Sequence, residues 1–235
     1  NDYNGTSDAS GTYPLGATTV TWTATDIHGN SSTTTQSVTV LDTEDPTIST
    51  AAVNATADAG VCTAAVTVAG PTTSDNCSVA TVTNDYNSTS DASGTYDVGT
   101  TTVTWTATDN AGNSSTATQD VTVTDNESPS ISTTGAVTAI NDAGQCKATV
   151  NLSTPTTADN CAVSSVSSDA PGNSSYNVGT TTVNWTVTDI HGNTNTTTQD
   201  VVVTDEESPV ILSPSSISVS VDAGQCEASV TVATV

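Results

Sequence analysis

The 235 residues carry 25 acidic side chains against a single Lys or Arg, a formal net charge of −24. Nucleic-acid binding needs Lys and Arg to displace phosphate counterions, and Lys147 stands alone; no apolar run approaches the roughly 20 residues of a membrane span, so membrane insertion is not expected. Thr supplies 52 residues and Phe and Met none, yet the 34% of hydrophobic residues falls in alternation, which predicts folded strands where charge and polarity alone would predict disorder.

In chain order, the first elements are a Trp strand around Trp22, a D-x-x-G-N turn at Asp26 and a closing strand; they fill 1–44 as the C-terminal part of a repeat. A D-x-E-x-P linker (Asp42, Glu44, Pro46) then opens a complete unit, 45–127. Its predicted order is a strand at Ile48, a D-A-G turn at Asp58, and a strand with Cys62, Ala64, Val66 and Val68 on one face. A Gly-Pro break, the S-D-N-C segment and a Val-containing strand follow. After a polar N-D-Y-N stretch, Tyr96 and Val98 precede a Val-Gly turn, the strand of Val103, Trp105 and Ala107, and a last strand at Val121 and Val123. The same order recurs over 128–207, and 208–235 begins it again as an N-terminal part.

The period is the organising fact. Trp22, Trp105 and Trp185 are 83 and 80 residues apart, and Cys62, Cys146 and Cys226 are 84 and 80 apart. A unit of that size must close its own core. Period-two alternation rich in Val and Thr, with Gly, Asn and Asp turns, predicts two-sheet antiparallel β-sandwiches. The three tryptophans read as core plugs, not ligand platforms. With no initiator Met and no signal-peptide core, the partial end units predict a window of a longer array. The sharper alternative is that the partial ends complement each other between neighbouring chains, since together they lack only about 12 residues of a unit.

Five cysteines occur. Metal binding would want a C-x-x-C spacing or a nearby His, so disulfides are expected instead. Within complete units the pairs are Cys62–Cys77 and Cys146–Cys161, each roughly 15 residues apart, and Cys226 would pair with a residue beyond Val235. A loop of that size is worth about 3 kcal/mol. This pairing would bring Asp75 and Asn76 beside Asp58.

The combination D-A-G-x-C, S-D-N-C, Y-D-V-G-T-T-T-V-T-W-T-A-T-D-N-A-G-N and T-D-N-E-S-P resembles the hyalin repeat (HYR) module over essentially the whole chain. The resemblance implies an all-β fold of tandem immunoglobulin-like antiparallel β-sandwiches in a linear array, outside the cell or on its surface, serving adhesion or structure. Many bacterial members carry a second Cys pair; here Ser49, Ser132 and Thr118 stand at or near those places. One staple per unit is therefore expected.

The carboxylates concentrate at linkers (Asp42, Glu44, Asp45; Asp125, Glu127; Asp205, Glu206, Glu207) and in turns (Asp26, Asp109, Asp189; Asp58, Asp142, Asp222; Asp75, Asp159). The D-x-x-G-N turn is expected at the pole next to the incoming linker. The disulfide argument puts Asp58 and Asp75 at the opposite pole, so one junction would gather Asp142, Asp159, Asp205 and Glu207, with Asn160 as a neutral oxygen donor. Calcium takes six to eight oxygens, and Ca²⁺ at the junctions is the cofactor expectation. The competing reading is an acidic surface that keeps an extracellular filament soluble.

His28 and His191 lie in I-H-G-N turns whose middle counterpart is Ala111, which reads as surface, not chemistry. No nucleophile sits in an activating context, and an enzyme is not expected. Eleven Asn-x-Ser/Thr sequons include Asn87, Asn113 and Asn184 as glycosylation candidates. Outward Thr-x-Thr rows resemble ice-binding surfaces and equally any solvated strand face. The functional expectation is a structural segment of an extracellular filament, stalk or surface fibre that self-associates. The alternative is an adhesin stalk or module binding a host, carbohydrate or cell-surface ligand, its tip elsewhere or in the polar 84–95 loop.

Overall fold

A computed structural model describes residues 1–212 and 214–232; the parts of the predicted C-terminal repeat at 213 and 233–235 lie outside the described residues. Among the described residues every regular element is a strand. Two compact units result: Asn1–Glu127 with Asp159–Cys161, and Ser128–Ala158 with Ala162–Val235.

In the first unit, β1 (Gly16–Thr25) and β2 (Ser31–Val40) form a hairpin. The repeat that follows contains β3 (Thr47–Ser49), β4 (Val53–Thr56), β5 (Thr63–Val66), β6 (Thr72–Ser74), β7 (Val79–Asn84), β8 (Gly94–Asp97), β9 (Gly99–Asp109) and β10 (Ser114–Thr124). One sheet runs β4-β10-β9-β7, faced by the pairs β3-β6 and β5-β8. The second unit repeats this with β11 (Ser130–Ser132), β12 (Val137–Ile140), β13 (Lys147–Thr149), β14 (Thr156–Ala158), β15 (Val163–Ser168), β16 (Ser175–Asn177), β17 (Gly179–Asp189) and β18 (Thr194–Thr204). Its sheet runs β12-β18-β17-β15. The described part of 208–235 forms no strand but keeps the D-A-G turn, with Gln225 N–H donating to Asp222 O at 2.9 Å.

Each complete repeat is a two-sheet sandwich, as the alternation predicted, and an immunoglobulin-like one, as the resemblance to the hyalin repeat implied. Ala64, Val66 and Val68 point inward with Val103, Trp105, Val121 and Val123, while the intervening Thr residues face outward. The alternation did not reveal β4, which pairs parallel to β10 from Val53↔Val121 to Thr56↔Thr124. Its Val-Asn-Ala-Thr sequence is too short to separate from loop on pattern alone.

Burying Trp105 leaves an indole N–H that must find an acceptor. Gln119 supplies it at 2.7 Å, and its own amide donates to Ala51 O at 2.7 Å, tying the Trp strand to the segment before β4. Trp185 with Gln199 and Trp22 with Gln36 repeat the couple at 3.2 and 3.0 Å. Gln119 is buried, so Gln119→Leu should strand the indole N–H and the Ala51 carbonyl together. Each orphaned group costs about 1–3 kcal/mol; the urea midpoint should fall with an unchanged m-value.

The two ends of a repeat carry different turns, and this corrects the expected cysteine pairing. The D-A-G turn lies beyond the Thr124 end of β10, where Ala57 N–H donates to Thr124 O at 2.9 Å and Gly60 N–H to Glu127 Oε2 at 2.9 Å. The S-D-N-C segment lies at the Ser114 end, because its flanks pair as Ser74↔Thr47 and Val79↔Asp109. Ten strand steps separate the two ends, about 33 Å, whereas a disulfide needs Cα atoms within about 7 Å. Cys62–Cys77 and Cys146–Cys161 are therefore not formed. Cys62 bonds Cys161, with Cα atoms 4.6 Å apart and 99 residues between them in sequence. Cys77 is a half-buried thiol, and Cys146 and Cys226 are exposed ones.

Candidate metal centre

The D-x-x-G-N turn is built around its aspartate. Asp109 N–H donates to Asn113 O at 3.0 Å, and Gly112, at φ 97°, takes the left-handed conformation the turn requires. Asp109 Oδ1 accepts from Gly112 N–H at 2.6 Å and Asn113 N–H at 2.8 Å, and Oδ2 accepts from Asn113 Nδ2 at 2.8 Å. Burial by itself would raise this carboxyl, but the bonds from Asn113 and the turn amides hold it below the usual range. Asp189 and Asp26 sit in the same cage in their own turns and are lowered likewise, Asp189 against the opposing effect of burial.

Two further carboxylates reach Asp109. Asp42 stands near the start of the incoming linker, two residues after β2, and its carbonyl accepts from Asn113 Nδ2 at 3.3 Å. Its Oδ1 accepts from Glu44 N–H at 3.2 Å and Asn76 Nδ2 at 3.3 Å. Asp75 of the S-D-N-C segment has Oδ2 occupied by Cys77 N–H at 2.7 Å. The other oxygens, Asp42 Oδ2 and Asp75 Oδ1, are buried and accept no hydrogen bond. Carboxylate oxygens of Asp42, Asp75 and Asp109 lie within 4.8 Å of one another. Burial first, then the Asp42 carboxylate against it, pushes the Cys77 thiol up, with Asp75 and Asp109 adding to the effect.

Three like charges at this spacing repel unless a cation lies between them, and the chain has only one Lys or Arg to offer. Oxygens on opposite sides of one Ca²⁺ are about 4.6–5.2 Å apart, twice a Ca–O distance, so the spacing admits a shared ion. The orphaned oxygens, the all-oxygen donor set and the partial burial all suit a hard divalent cation.

The remaining acidic residues divide between two duties. The D-x-x-G-N aspartate meets the incoming linker as expected, but Asp75 lies with them and not beside Asp58, which corrects the assumed grouping. Asp159 corrects the same way: it is not with Asp142, Asp205 and Glu207. Its neighbour Asn160 donates to Asp125 Oδ1 at 3.2 Å and Val61 O at 3.1 Å. The Asn160 Oδ1 atom is buried without a hydrogen bond.

Asp58 and Asp142 shape their own D-A-G turns through Ala65 and Thr149 N–H. Glu127 and Glu207 hold those turns from the outgoing linker, Gly60 N–H to Glu127 at 2.9 Å and Gly144 N–H to Glu207 at 2.7 Å. Asp205 Oδ1 accepts from Glu207 N–H at 3.0 Å, as Asp125 Oδ1 does from Glu127. Glu44 and Asp45 are exposed.

In the 84–95 loop Asn84 Nδ2 donates to Thr89 O at 2.7 Å, Asp85 Oδ1 accepts from Thr104 N–H at 2.8 Å, and Tyr86 stacks on Tyr96 with centroids 4.5 Å apart. Asn87, Asn113 and Asn184 each commit Nδ2, the glycan-bearing atom, to a hydrogen bond with Asp91, Asp109 and Asp169 respectively. His28 and His191 are exposed on their turns. The Trp–Gln couple was missed by sequence reasoning, although a Gln 14 residues after each Trp signals it.

Tandem immunoglobulin-like sandwich repeats define the class as an extracellular repeat module. The HYR domain family model matches residues 41–123 and 124–203, and the chain belongs to that family. Hyalin of Strongylocentrotus purpuratus is 33% identical over 215 residues, covering 86% of this chain and 18% of that protein. Hyalin of Lytechinus variegatus is 32% identical over 191 residues, covering 77% of this chain and 35% of that protein. The chain thus spans at most about a third of these relatives. Among solved structures, Drosophila N-cadherin EC1-4 matches with 11% identity, a TM-score of 0.39, and coverage of 81% of this chain and 58% of that one, a likeness too distant to carry functional meaning.

Proposed function

We propose that the chain is a load-bearing segment of an extracellular filament, stalk or surface fibre, whose repeats are stiffened by Ca²⁺ at their heads and whose work is mechanical and not enzymatic. Self-association into a longer array is the partner this reading supplies. The observation that carries it is the convergence of Asp42, Asp75 and Asp109 with two buried oxygens that accept no hydrogen bond. Asp42 belongs to the linker and Asp75 and Asp109 to the sandwich, so a shared ion would fix the direction in which the chain enters the repeat. The same three positions recur in the sequence as Asp125, Asp159 and Asp189.

The test is thermal unfolding in millimolar calcium against EGTA. An ion at 100 times its Kd adds about 2.7 kcal/mol, which for a chain of this size is roughly 5–10 °C in Tm. An identical Tm in both buffers would leave only the solubilising role for the acidic residues.

A further inference from the structure

The Cys62–Cys161 bond joins the D-A-G-x-C cysteine of one repeat to the D-N-C cysteine of the next. Both halves of this bond are built elsewhere in the chain with the same supports. On the D-A-G side, Val98 N–H donates to Cys62 O at 3.2 Å, and Val178 N–H to Cys146 O at 3.1 Å. The linker glutamates Glu127 and Glu207 brace the two turns alike. Cys226 follows a turn closed by the same Asp222–Gln225 bond that Asp142 and Gln145 make. On the D-N-C side, Cys77 N–H donates to Asp75 Oδ2 at 2.7 Å, and Cys161 N–H to Asp159 Oδ2 at 2.9 Å. The preceding strands pair alike, Ile48↔Thr73 and Ile131↔Thr157.

Within a repeat these two half-sites stand at opposite ends of the last strand, β10 in the first complete repeat and β18 in the second, so neither Cys77 nor Cys146 can be satisfied by its own repeat. We propose that Cys77, Cys146 and Cys226 are rungs of a covalent ladder in which every D-A-G-x-C cysteine bonds the D-N-C cysteine of the following repeat. Cys146 and Cys226 each take a D-N-C thiol, and Cys77 takes a D-A-G-x-C thiol. The complementary repeat belongs either to the same polypeptide or to a second copy. Each rung forms by thiol–disulfide exchange with a small-molecule disulfide such as oxidised glutathione. One cysteine thiolate displaces a glutathione thiolate, the second cysteine thiolate displaces the other, and two cysteines are oxidised as one disulfide becomes two thiols. The ladder does not depend on calcium, and its test leaves the metal reading untouched.

The experiment is differential alkylation of unreduced native material, denatured with iodoacetamide, digested and mapped by mass spectrometry. Cys77, Cys146 and Cys226 should each be recovered in a disulfide that joins a D-A-G-x-C peptide to a D-N-C peptide of a different repeat. Recovery of any of the three as an alkylated thiol, or of a Cys62–Cys77 or Cys146–Cys161 peptide, overturns the ladder. Reduction before electrophoresis separates the two sources of partner. Unchanged mass places the rungs within one polypeptide, and collapse of a high-mass series places them between copies.

Discussion

Stretching the oxidised chain end to end should leave about 330–360 Å of its contour hidden, and reduction should release it. Cys62 and Cys161 are 99 residues apart, and each residue contributes at most about 3.3–3.6 Å when extended. Force entering at either end crosses the sulfur–sulfur bond, so the linker and all strands from β5 to β14 bear none. The pairing inside repeats gives a different number: two loops of roughly 15 residues would hide only about 50 Å each. Single-molecule force spectroscopy with and without dithiothreitol distinguishes the two. Cys161→Ser should abolish the dithiothreitol dependence and Cys77→Ser should leave it in place; release of about 100 Å in total would contradict the observed pairing. The same bond should contribute about 4.7 kcal/mol in the chain-entropy model, against about 3 for a 15-residue loop.

Asp75→Asn should reverse its sign with calcium. In EGTA the substitution removes one of three mutually repelling carboxylates and should raise Tm, because Asp75 Oδ1 has no hydrogen bond to lose. In calcium it removes a charged ligand, and most of the roughly 2.7 kcal/mol that a saturating ion supplies should disappear. Asp45→Asn, an exposed residue of the same linker, should change Tm by less than about 0.5 kcal/mol equivalent in either buffer. If both variants behave alike, the carboxylates act only through net charge.

The alternation of Val103, Trp105 and Ala107 against Thr made the sandwich legible, because a period-two pattern with one apolar face admits only a half-buried strand. The phase of Trp, Cys and Pro made the repeat legible, and the D-x-x-G-N turn was placed at the correct pole from strand direction alone. The cysteines were not legible. Sequence proximity favoured Cys62 with Cys77, but chain direction across the sandwich carries the D-N-C segment back to the opposite end from the D-A-G turn. Composition gives no hint of that return, which depends on the short pairs β3-β6 and β4-β10. The place of Asp75 is hidden for the same reason, because beside Asp58 it would need a Cys62–Cys77 bond.

The proposed stiffening of the repeat heads requires a divalent cation between Asp42, Asp75 and Asp109. Diffraction from crystals grown in calcium, with the anomalous signal mapped, tests it directly. The expected result is one strong peak about 2.3–2.6 Å from an oxygen of each of the three carboxylates. Three carboxylates turned apart, with no peak between them at saturating calcium, would contradict it.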